Sequence, residues 1–309
     1  MRELANALID HLQSHWGDLD LVTPAGFATG LRTVGNVPDD ANPLQIESWV
    51  RSFGEVRVNA ASSELPGLGW RVGDSFVIET GKGRSPQERN ITIPHEFGER
   101  LHHVINDELT ARGIPAVEWG ERFWDAMGVE LVAPLASFRT AAVKSGLDLV
   151  DLAKPLSFEA TVYRIKEAFE DDVPLFAVYA GNAGAWKPRQ GHHGDAWVVR
   201  ASAWTKRWLG CGYVNGRECL RIPRRDQPIH DDSWVREVCS KRRSLLVNTS
   251  EVVDGRLLES TVILRGKFYG KEPAWVMAVG IERRYAHLLR AQVALADPVE
   301  RTGSFRRLF

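Results

Sequence analysis

The spacing of apolar residues predicts a helical first half and a strand-rich second half. Residues 3–14 carry apolar side chains at intervals of three and four, which is typical of an amphipathic helix. The segment 69–79 has two short runs of strand-forming residues around Gly73 and Asp74, which predicts a β-hairpin that turns at this pair.

A second helix has a distinct N-terminal signal. Ser85 is followed three residues later by Glu88, which is the pattern of a capping box. The helix should continue through His95 to about Val104. Pro94 lies inside this helix and has no N–H for the preceding turn, so a kink or a break is expected there.

Further along, helical spacing covers residues 117–130, ahead of Pro134, and then residues 149–169. After Pro174 the pattern changes to short apolar runs, which indicates strands. The predicted strands are 175–180, 195–201, 260–270 and 274–282. The fold class predicted from this order is α+β.

The 44% hydrophobic and 26% charged content is that of a globular protein. At 309 residues the chain is too long for one ordinary core, so two or three modules are expected. We find no apolar run of about 18 residues and no apolar leader, so a cytoplasmic location is expected. The three cysteines, Cys211, Cys219 and Cys239, form no CxxC pair. Reduced thiols are therefore expected rather than disulfides or a zinc site.

Charge is distributed unevenly along the chain. Residues 1–135 contain 11 Lys and Arg against 20 Asp and Glu, whereas residues 171–309 contain 23 against 15. The basic C-terminal part is a candidate for binding a polyanion, and an ordinary charged surface is the alternative interpretation.

The candidate chemistry begins at His95-Glu96-Phe97-Gly98-Glu99. His95 and Glu99 are four residues apart on the predicted helix, so both can face one divalent metal ion. Glu96 then suits a general base that accepts a proton from metal-bound water. The pattern is HExxE, in which Glu99 replaces the second histidine of the zinc-peptidase motif HExxH.

Other ligands are expected nearby. Glu121 lies on the next predicted helix and would complete a three-ligand site with an open position for water. His102 and His103 follow on the first helix. His103 is an alternative ligand, His102 is a candidate donor to an oxyanion, and a surface histidine pair is the alternative interpretation for both.

At these residues the chain resembles the ImmA/IrrE family of metallopeptidases. The segment 85–99 (SPQERNITIPHEFGE) is similar to the family's pattern before and within HExxH, and residues 121–134 (ERFWDAMGVELVAP) are similar to its ExxAxxFAxxLLMP. In this alignment Glu121 falls on the family's third metal ligand. Residues 173–188 and 260–282 resemble the GAF-like domain of the radiation-response branch.

The resemblance implies three parts: a zincin-like metallopeptidase domain at 1–135, a helix-turn-helix-like segment at 136–171 and a GAF-like sensor domain at 172–309. It implies an endopeptidase that cleaves a helix-turn-helix repressor of the XRE type and so derepresses DNA-damage, defence or mobile-element genes. Zinc is the expected cofactor, with manganese as the alternative because Glu99 adds a carboxylate ligand.

Two other functions remain open. One is an inactive pseudo-peptidase that acts as a DNA- or repressor-binding sensor. The other is a DNA-binding regulator that acts through residues 149–169.

Basic and aromatic residues alternate in the C-terminal part, a combination typical of single-stranded nucleic-acid binding. Together with the resemblance, this predicts single-stranded DNA as an activator. Burial of the tryptophans in a core is the alternative. The candidate contacts are Trp204, Lys206, Arg207, Trp208, Arg224, Arg225, Lys241, Arg242 and Arg243.

Overall fold

The computed structural model describes residues 1–62, 64–73, 75–182, 197–208, 222–253, 255–269 and 272–309. These residues form mixed α and β structure, as predicted, with one three-stranded and one six-stranded sheet. They divide into two compact units, Met1–Ser137 with Pro155–Ser157, and Phe138–Lys154 with Phe158–Phe309. The segment 136–171, predicted as a separate part, falls mainly within the second unit.

The first unit consists of five helices around a small sheet. The helices are α1 (Arg2–Trp16), α2 (Pro24–Val34), α3 (Pro43–Arg51), α4 (Pro86–Ala111) and α5 (Glu121–Val132). The strands are β1 (Glu55–Ala61), β2 (Gly67–Val72) and β3 (Ser75–Gly81). Their order is β1-β3-β2, with β1 parallel and β2 antiparallel to β3. The predicted first helix and the predicted hairpin are confirmed, and Gly73 supplies the positive φ of 61° at the turn.

Helix α4 begins with the predicted capping box. Ser85 Oγ accepts from the backbone N–H of Glu88 at 3.2 Å, and Glu88 Oε2 accepts from that of Ser85 at 2.8 Å. Of the kink or break predicted at Pro94, the break is wrong, because α4 is one helix of 26 residues that also extends beyond Val104. The kink stays a prediction. Pro94 is buried, as are both of its neighbours. The packing of this turn in the core offsets the one missing hydrogen bond.

The second unit contains a six-stranded sheet of order β5-β4-β8-β7-β6-β9. Its strands are β4 (Leu175–Asn182), β5 (Trp197–Trp204), β6 (Leu245–Val253), β7 (Arg256–Tyr269), β8 (Glu272–Glu282) and β9 (Val299–Gly303). All four predicted strands are confirmed, apart from residues 195–196 and 270, which lie outside the described ranges. Strands β6 and β9 are not predicted by the sequence pattern.

Five helices accompany the second sheet, and α7, α8 and α9 contact its strands. They are α6 (Leu135–Ser145, which starts in the first unit), α7 (Leu149–Leu152), α8 (Phe158–Phe169), α9 (Trp234–Lys241) and α10 (Arg290–Ala296). The segment 149–169 is a single helical turn followed by α8, which packs against β4 and β5. Reading of DNA by this segment is not favoured, because α8 uses one face for the sheet and buries Arg164.

Among the described residues, no single helix combines the length and the apolar content needed to cross a membrane. The bent pair α5 and α6 meets the criterion only when its two helices are joined.

Candidate metal centre

Helices α4 and α5 bring the imidazole of His95 against two carboxylates. His95 Nε2 lies 3.3 Å from Glu121 Oε1, and His95 Nδ1 lies 3.1 Å from Asp125 Oδ1. The imidazole is buried, whereas Glu121 and Asp125 are exposed. The metal hypothesis requires Glu121 to reach His95, and the structure meets this requirement.

Glycine makes this approach of the two helices close. A Cβ atom at Gly98 would lie 2.3 Å from Met127 Cε and 2.7 Å from Trp124 Cε3. On α5, a Cβ atom at Gly128 would lie 3.1 Å from the carbonyl oxygen of Ile91. Each helix thus has a glycine at the contact, and the short separation lets side chains of α5 reach the imidazole on α4.

Asp125 is the site residue that the sequence analysis missed. It follows Glu121 by four residues on α5, so both carboxylates lie on one face of that helix. This spacing was the available signal. It is not specific, because pairs of acidic residues four apart are common on exposed helix surfaces.

Glu99 and Glu121 belong to different groups of possible metal ligands around His95. Ligand atoms of His95, Glu96 and Glu99 lie within 4.8 Å of one another, and those of His95, Glu121 and Asp125 form a second such group. Glu99 Oε2 also accepts a hydrogen bond from Arg100 Nη2 at 2.9 Å. The structure therefore places both predicted carboxylate ligands near His95 but in separate groups, and the full set stays a prediction.

Glu96 is buried between α4 and the edge strand β2. A Cβ atom at Gly67 would lie 2.8 Å from Glu96 Oε1, and one at Gly69 would lie 3.0 Å from Glu96 Oε2. Burial raises the pKa of the Glu96 carboxyl, and the neighbouring His95 opposes this shift. A raised pKa is the direction expected of a carboxylate that accepts a proton during a reaction.

His102 and His103 lie outside both groups of possible metal ligands. His102 Nε2 donates to the carbonyl oxygen of Val117 at 2.7 Å, and its ring packs 5.2 Å from that of Trp119. Burial lowers the pKa of His102. His103 is exposed. In the part of the chain that the structure describes, no group able to hold a metal includes either residue.

The donor set of the cluster fits a divalent metal ion. One imidazole and two or three carboxylates supply the nitrogen and oxygen ligands that zinc and manganese both accept. Because Glu121 and Asp125 are exposed, solvent can reach the cluster, as a position for a bound water requires.

The candidate nucleic-acid contacts differ widely in exposure. Trp208 is buried, with its ring 4.9 Å from that of Phe176, so the expected role of Trp208 in base stacking is wrong. It belongs to the core on one face of the large sheet, together with Trp197 and Trp234. Trp204 is partly buried against the same core.

Several of the candidate cations already have acidic partners. Lys206 Nζ lies 3.7 Å from Asp171 Oδ1, and Arg225 Nη1 lies 2.7 Å from Glu159 Oε1. Arg207, Arg224 and Arg242 are exposed.

Glu237 contacts two further candidate cations, Lys241 and Arg243, together with Arg301. Its Oε1 lies 2.9 Å from Lys241 Nζ, 3.4 Å from Arg243 Nη2 and 2.8 Å from Arg301 Nη2. Cys239 on the same helix is buried, and burial raises the pKa of its thiol to about 12. Cys211 and Cys219 lie outside the described residues.

Comparison with known proteins gives little further information. No family model matches the chain, and no curated protein matches it. The solved structure of a Mycobacterium tuberculosis transcriptional regulator aligns with 97% of this chain and 88% of its own, at 13% sequence identity and a TM-score of 0.47. An alignment of this quality identifies neither a family nor a function.

Proposed function

We propose that this chain is a metal-dependent endopeptidase of the ImmA/IrrE type. The observation that carries the proposal is the approach of α4 and α5, which brings His95 to Glu121 and Asp125 while Glu96 lies beside the edge strand. In this proposal the first unit is a zincin-like domain, with the central helix α4 next to the edge strand β2.

The proposed ligands are His95, Glu121 and Glu99, with zinc as the expected metal and manganese as the alternative. A bound divalent ion would polarise the substrate carbonyl and make an attacking water more acidic. Glu96 would accept the proton of that water and pass it to the leaving amine nitrogen. Its carboxylate is suited to this step because burial raises its pKa.

Asp125 has a positioning role in this proposal. Its Oδ1 lies 3.1 Å from His95 Nδ1, within reach to accept an N–H from that nitrogen. In this role the contact would fix the tautomer in which Nε2 is free to bind a metal, and it would orient the ring toward Glu121.

The proposed substrate is a helix-turn-helix transcriptional repressor of the XRE type. An extended segment of it would add to the free edge of β2, beside Glu96. Cleavage would derepress DNA-damage, defence or mobile-element genes.

The second unit would act as a GAF-like sensor. This is supported by its sheet, in which, among the described strands, five neighbours are antiparallel and β9 alone is parallel to β6. Single-stranded DNA is the proposed activator. With Trp208 buried, the contacts would be made mainly to phosphates by exposed cations such as Lys206, Arg207 and Arg224.

A second candidate function is a sensor without catalysis. The observation that favours it is the hydrogen bond from Arg100 to Glu99, which engages a proposed ligand. Such a protein would bind the repressor or DNA without cutting the repressor.

Co-expression of the chain with a candidate XRE-type repressor tests these two functions. The endopeptidase proposal expects a discrete shortened repressor fragment with the natural chain and none with Glu96→Gln, while metal analysis finds about one divalent ion in both proteins. If the natural chain and Glu96→Gln relieve repression equally and no repressor fragment forms, the result would instead support the sensor.

A further inference from the structure

The hairpin of β6 and β7 presents two different faces. Val247 and its partner Val262 belong to the buried core that contains Trp234. The next pair along the ladder is Asn248 with Thr261. Because side chains alternate along a strand, Asn248 and Thr261 lie on the opposite face of the sheet.

A groove of about 360 Å³ lies on this second face, between the two strands and the chain that runs from Arg283 into α10. Leu246 contributes to its strand side, and Ala286, Leu289 and Val293 contribute to its helical side. Small-molecule sites commonly measure about 300–1,000 Å³ and have mostly apolar walls. The volume and the aliphatic walls of this groove are therefore those of a site for a compact ligand with an apolar body.

One neutral hydrogen-bond donor lies in the groove. Thr261 Oγ1 donates to Asn248 Oδ1 at 3.0 Å, which orients the Asn248 amide. The other end of that amide, Nδ2, carries two N–H groups. Among the residues that the structure describes, Nδ2 donates to none. Because Asn248 lines the groove, these N–H groups are available to an acceptor on a ligand.

Two arginines also line the groove, and they differ in how far their charge is neutralised. Arg283 Nη1 lies 2.8 Å from Glu259 Oε1. Glu259 precedes Thr261 by two residues on β7, so this ion pair lies toward the turn of the hairpin. Arg290 is exposed and forms no ion pair within the described ranges. The lining residues include no carboxylate, so the groove carries positive charge at Arg290.

The same lining restricts the kind of occupant. It includes no aromatic side chain, so the groove lacks the surface on which a nucleic-acid base would stack. A protein that covered the groove would take Arg290 and the pair of Arg283 with Glu259 out of water, which is costly. A small molecule leaves these charged groups partly hydrated, so it fits the surface better.

We propose that this groove binds a small, soluble amphipathic anion, with a compact apolar body and one carboxylate or similar group. The apolar body packs against Leu246, Leu289 and Val293, and the anionic group accepts hydrogen bonds from Asn248 Nδ2 and Arg290. The second unit thereby recognises a small molecule at a place separate from the proposed DNA contacts. This binding requires neither the candidate metal centre nor cleavage.

Calorimetric titration of the full-length natural chain compares three ligands with one apolar body: 4-phenylbutanoate, 4-phenylbutan-1-ol and 4-phenylbutylamine. We expect one saturable site, at which the carboxylate binds about tenfold more tightly than the alcohol, since a hydrogen bond to a charged group contributes at least this much. The amine should bind most weakly because of Arg290. Equal binding of the three ligands, or no saturable binding of 4-phenylbutanoate, overturns the proposal.

Two substitutions test the groups that recognise the anion. Arg290→Gln removes the free cation, and Asn248→Asp keeps an acceptor for Thr261 but replaces the amide donors with a negative charge. Both variants should lose most of the preference for the carboxylate while they still bind the alcohol, which also shows that they are folded. Arg284→Gln is the matched control, because Arg284 is a neighbouring exposed cation that does not line the groove. A full preference in both Arg290→Gln and Asn248→Asp overturns the proposal.

Filling the groove tests its location. Ala294 lines it and is exposed, so Ala294→Phe should weaken binding of the carboxylate and the alcohol alike. Unchanged binding of both ligands by Ala294→Phe would place the site elsewhere and overturn the proposal.

Two competitors distinguish other occupants of the groove. An excess of oligothymidylate should leave 4-phenylbutanoate binding unchanged, and the chain should not sediment with vesicles of phosphatidylglycerol. Displacement by the oligonucleotide would make the groove part of a DNA-binding surface. Sedimentation with vesicles that is lost in Arg290→Gln would assign the groove to a membrane lipid. Either result overturns the proposal of a soluble ligand.

Discussion

The Oδ1 atom of Asp125 lies 3.1 Å from Nδ1 of His95, which is the ring nitrogen that does not face Glu121. Asp125→Asn keeps the size of this side chain but removes its charge and its preference for accepting the imidazole N–H. We expect the affinity for zinc or manganese to fall about 10- to 100-fold, as for other partners of ligand histidines. Metal titration by calorimetry measures this change.

The matched control for that substitution is Glu130→Gln, a carboxylate farther along α5 that belongs to neither metal-capable group among the described residues. Its metal affinity should remain unchanged. Unchanged affinity in Asp125→Asn as well would remove the positioning role of Asp125.

Gly98 should be needed for the short separation between α4 and α5. Gly98→Ala places a Cβ atom 2.3 Å from Met127 Cε, so the helices or the side chains of α5 must move. We expect a cost of about 1–3 kcal/mol in the free energy of unfolding, together with weaker metal binding. Thermal unfolding and metal titration of the same variant measure both effects.

Gly120 provides the control, because a Cβ atom there would meet nothing within 4 Å. This residue is the N-cap of α5, so Gly120→Ser should leave stability unchanged or raise it. A stable Gly98→Ala chain with unchanged metal affinity would show that the helices do not need this close approach.

Local signals in the sequence predicted part of this site, and tertiary packing determined the rest. The capping box of Ser85 and Glu88 predicted the start of α4 because its hydrogen bonds lie within three residues of chain. The continuity of α4 through Pro94 could not be predicted, because it depends on the burial of that turn by distant segments. The carboxylate of Asp125 was missed for a similar reason, since its importance depends on how closely α5 approaches His95.

The second unit shows the same limit. Short apolar runs predicted β4, β5, β7 and β8, because such runs are typical of buried strands. The pattern of basic and aromatic residues around Trp208 could not show which side chains face the core, and the structure places that ring inside it.

Glu237 should make stability depend on pH. Burial acts to raise the pKa of Glu237, but hydrogen bonds from Arg301 and Lys241 outweigh it and lower the pKa to about 2. A depressed folded-state pKa contributes stability that is present above the ordinary glutamate value and is lost as pH falls toward 2. Thermal unfolding of the natural chain between pH 7 and pH 2.5 should show this loss, and Glu237→Gln should be less stable at pH 7 with a flatter acid dependence.

Glu47→Gln is the control for this prediction. Glu47 has one cationic partner in the described structure, Arg51 on the same helix, and surface pairs of this kind contribute little. Glu47→Gln should therefore leave the stability at pH 7 and its acid dependence nearly unchanged. A natural chain and a Glu237→Gln chain with parallel pH profiles would contradict the assigned pKa.

Substitutions at Trp208 and at its neighbouring cations should affect different properties, stability in the first case and DNA binding in the second. Trp208→Phe or Trp208→Ala removes part of a packed core, and the alanine variant should lose about 3–5 kcal/mol of stability. The double substitution Lys206→Gln and Arg207→Gln should leave stability nearly unchanged. If single-stranded DNA binds, this double variant should also reduce the slope of log K against log salt by about 1.4, since each lost phosphate contact accounts for about 0.7.

Binding of a labelled oligonucleotide over a salt series measures this slope, with Lys144→Gln on α6 as an exposed control. An unchanged slope in the double variant would exclude these two cations as phosphate contacts. Absence of any salt-dependent binding would remove single-stranded DNA as the activator.

Arg100 should determine whether Glu99 can act as a metal ligand. Its Nη2 donates to Glu99 Oε2 at 2.9 Å, and metal binding by Glu99 would compete with this hydrogen bond. Arg100→Met keeps much of the aliphatic stem but removes the donor, so Glu99 should become available and zinc affinity should rise about tenfold, which corresponds to about 1.4 kcal/mol. Titration of Arg100→Met and of Arg100→Met with Glu99→Gln separates the contributions. A gain that persists in the double variant would show that Glu99 is not the group that Arg100 restrains, and it would remove Glu99 from the proposed ligand set.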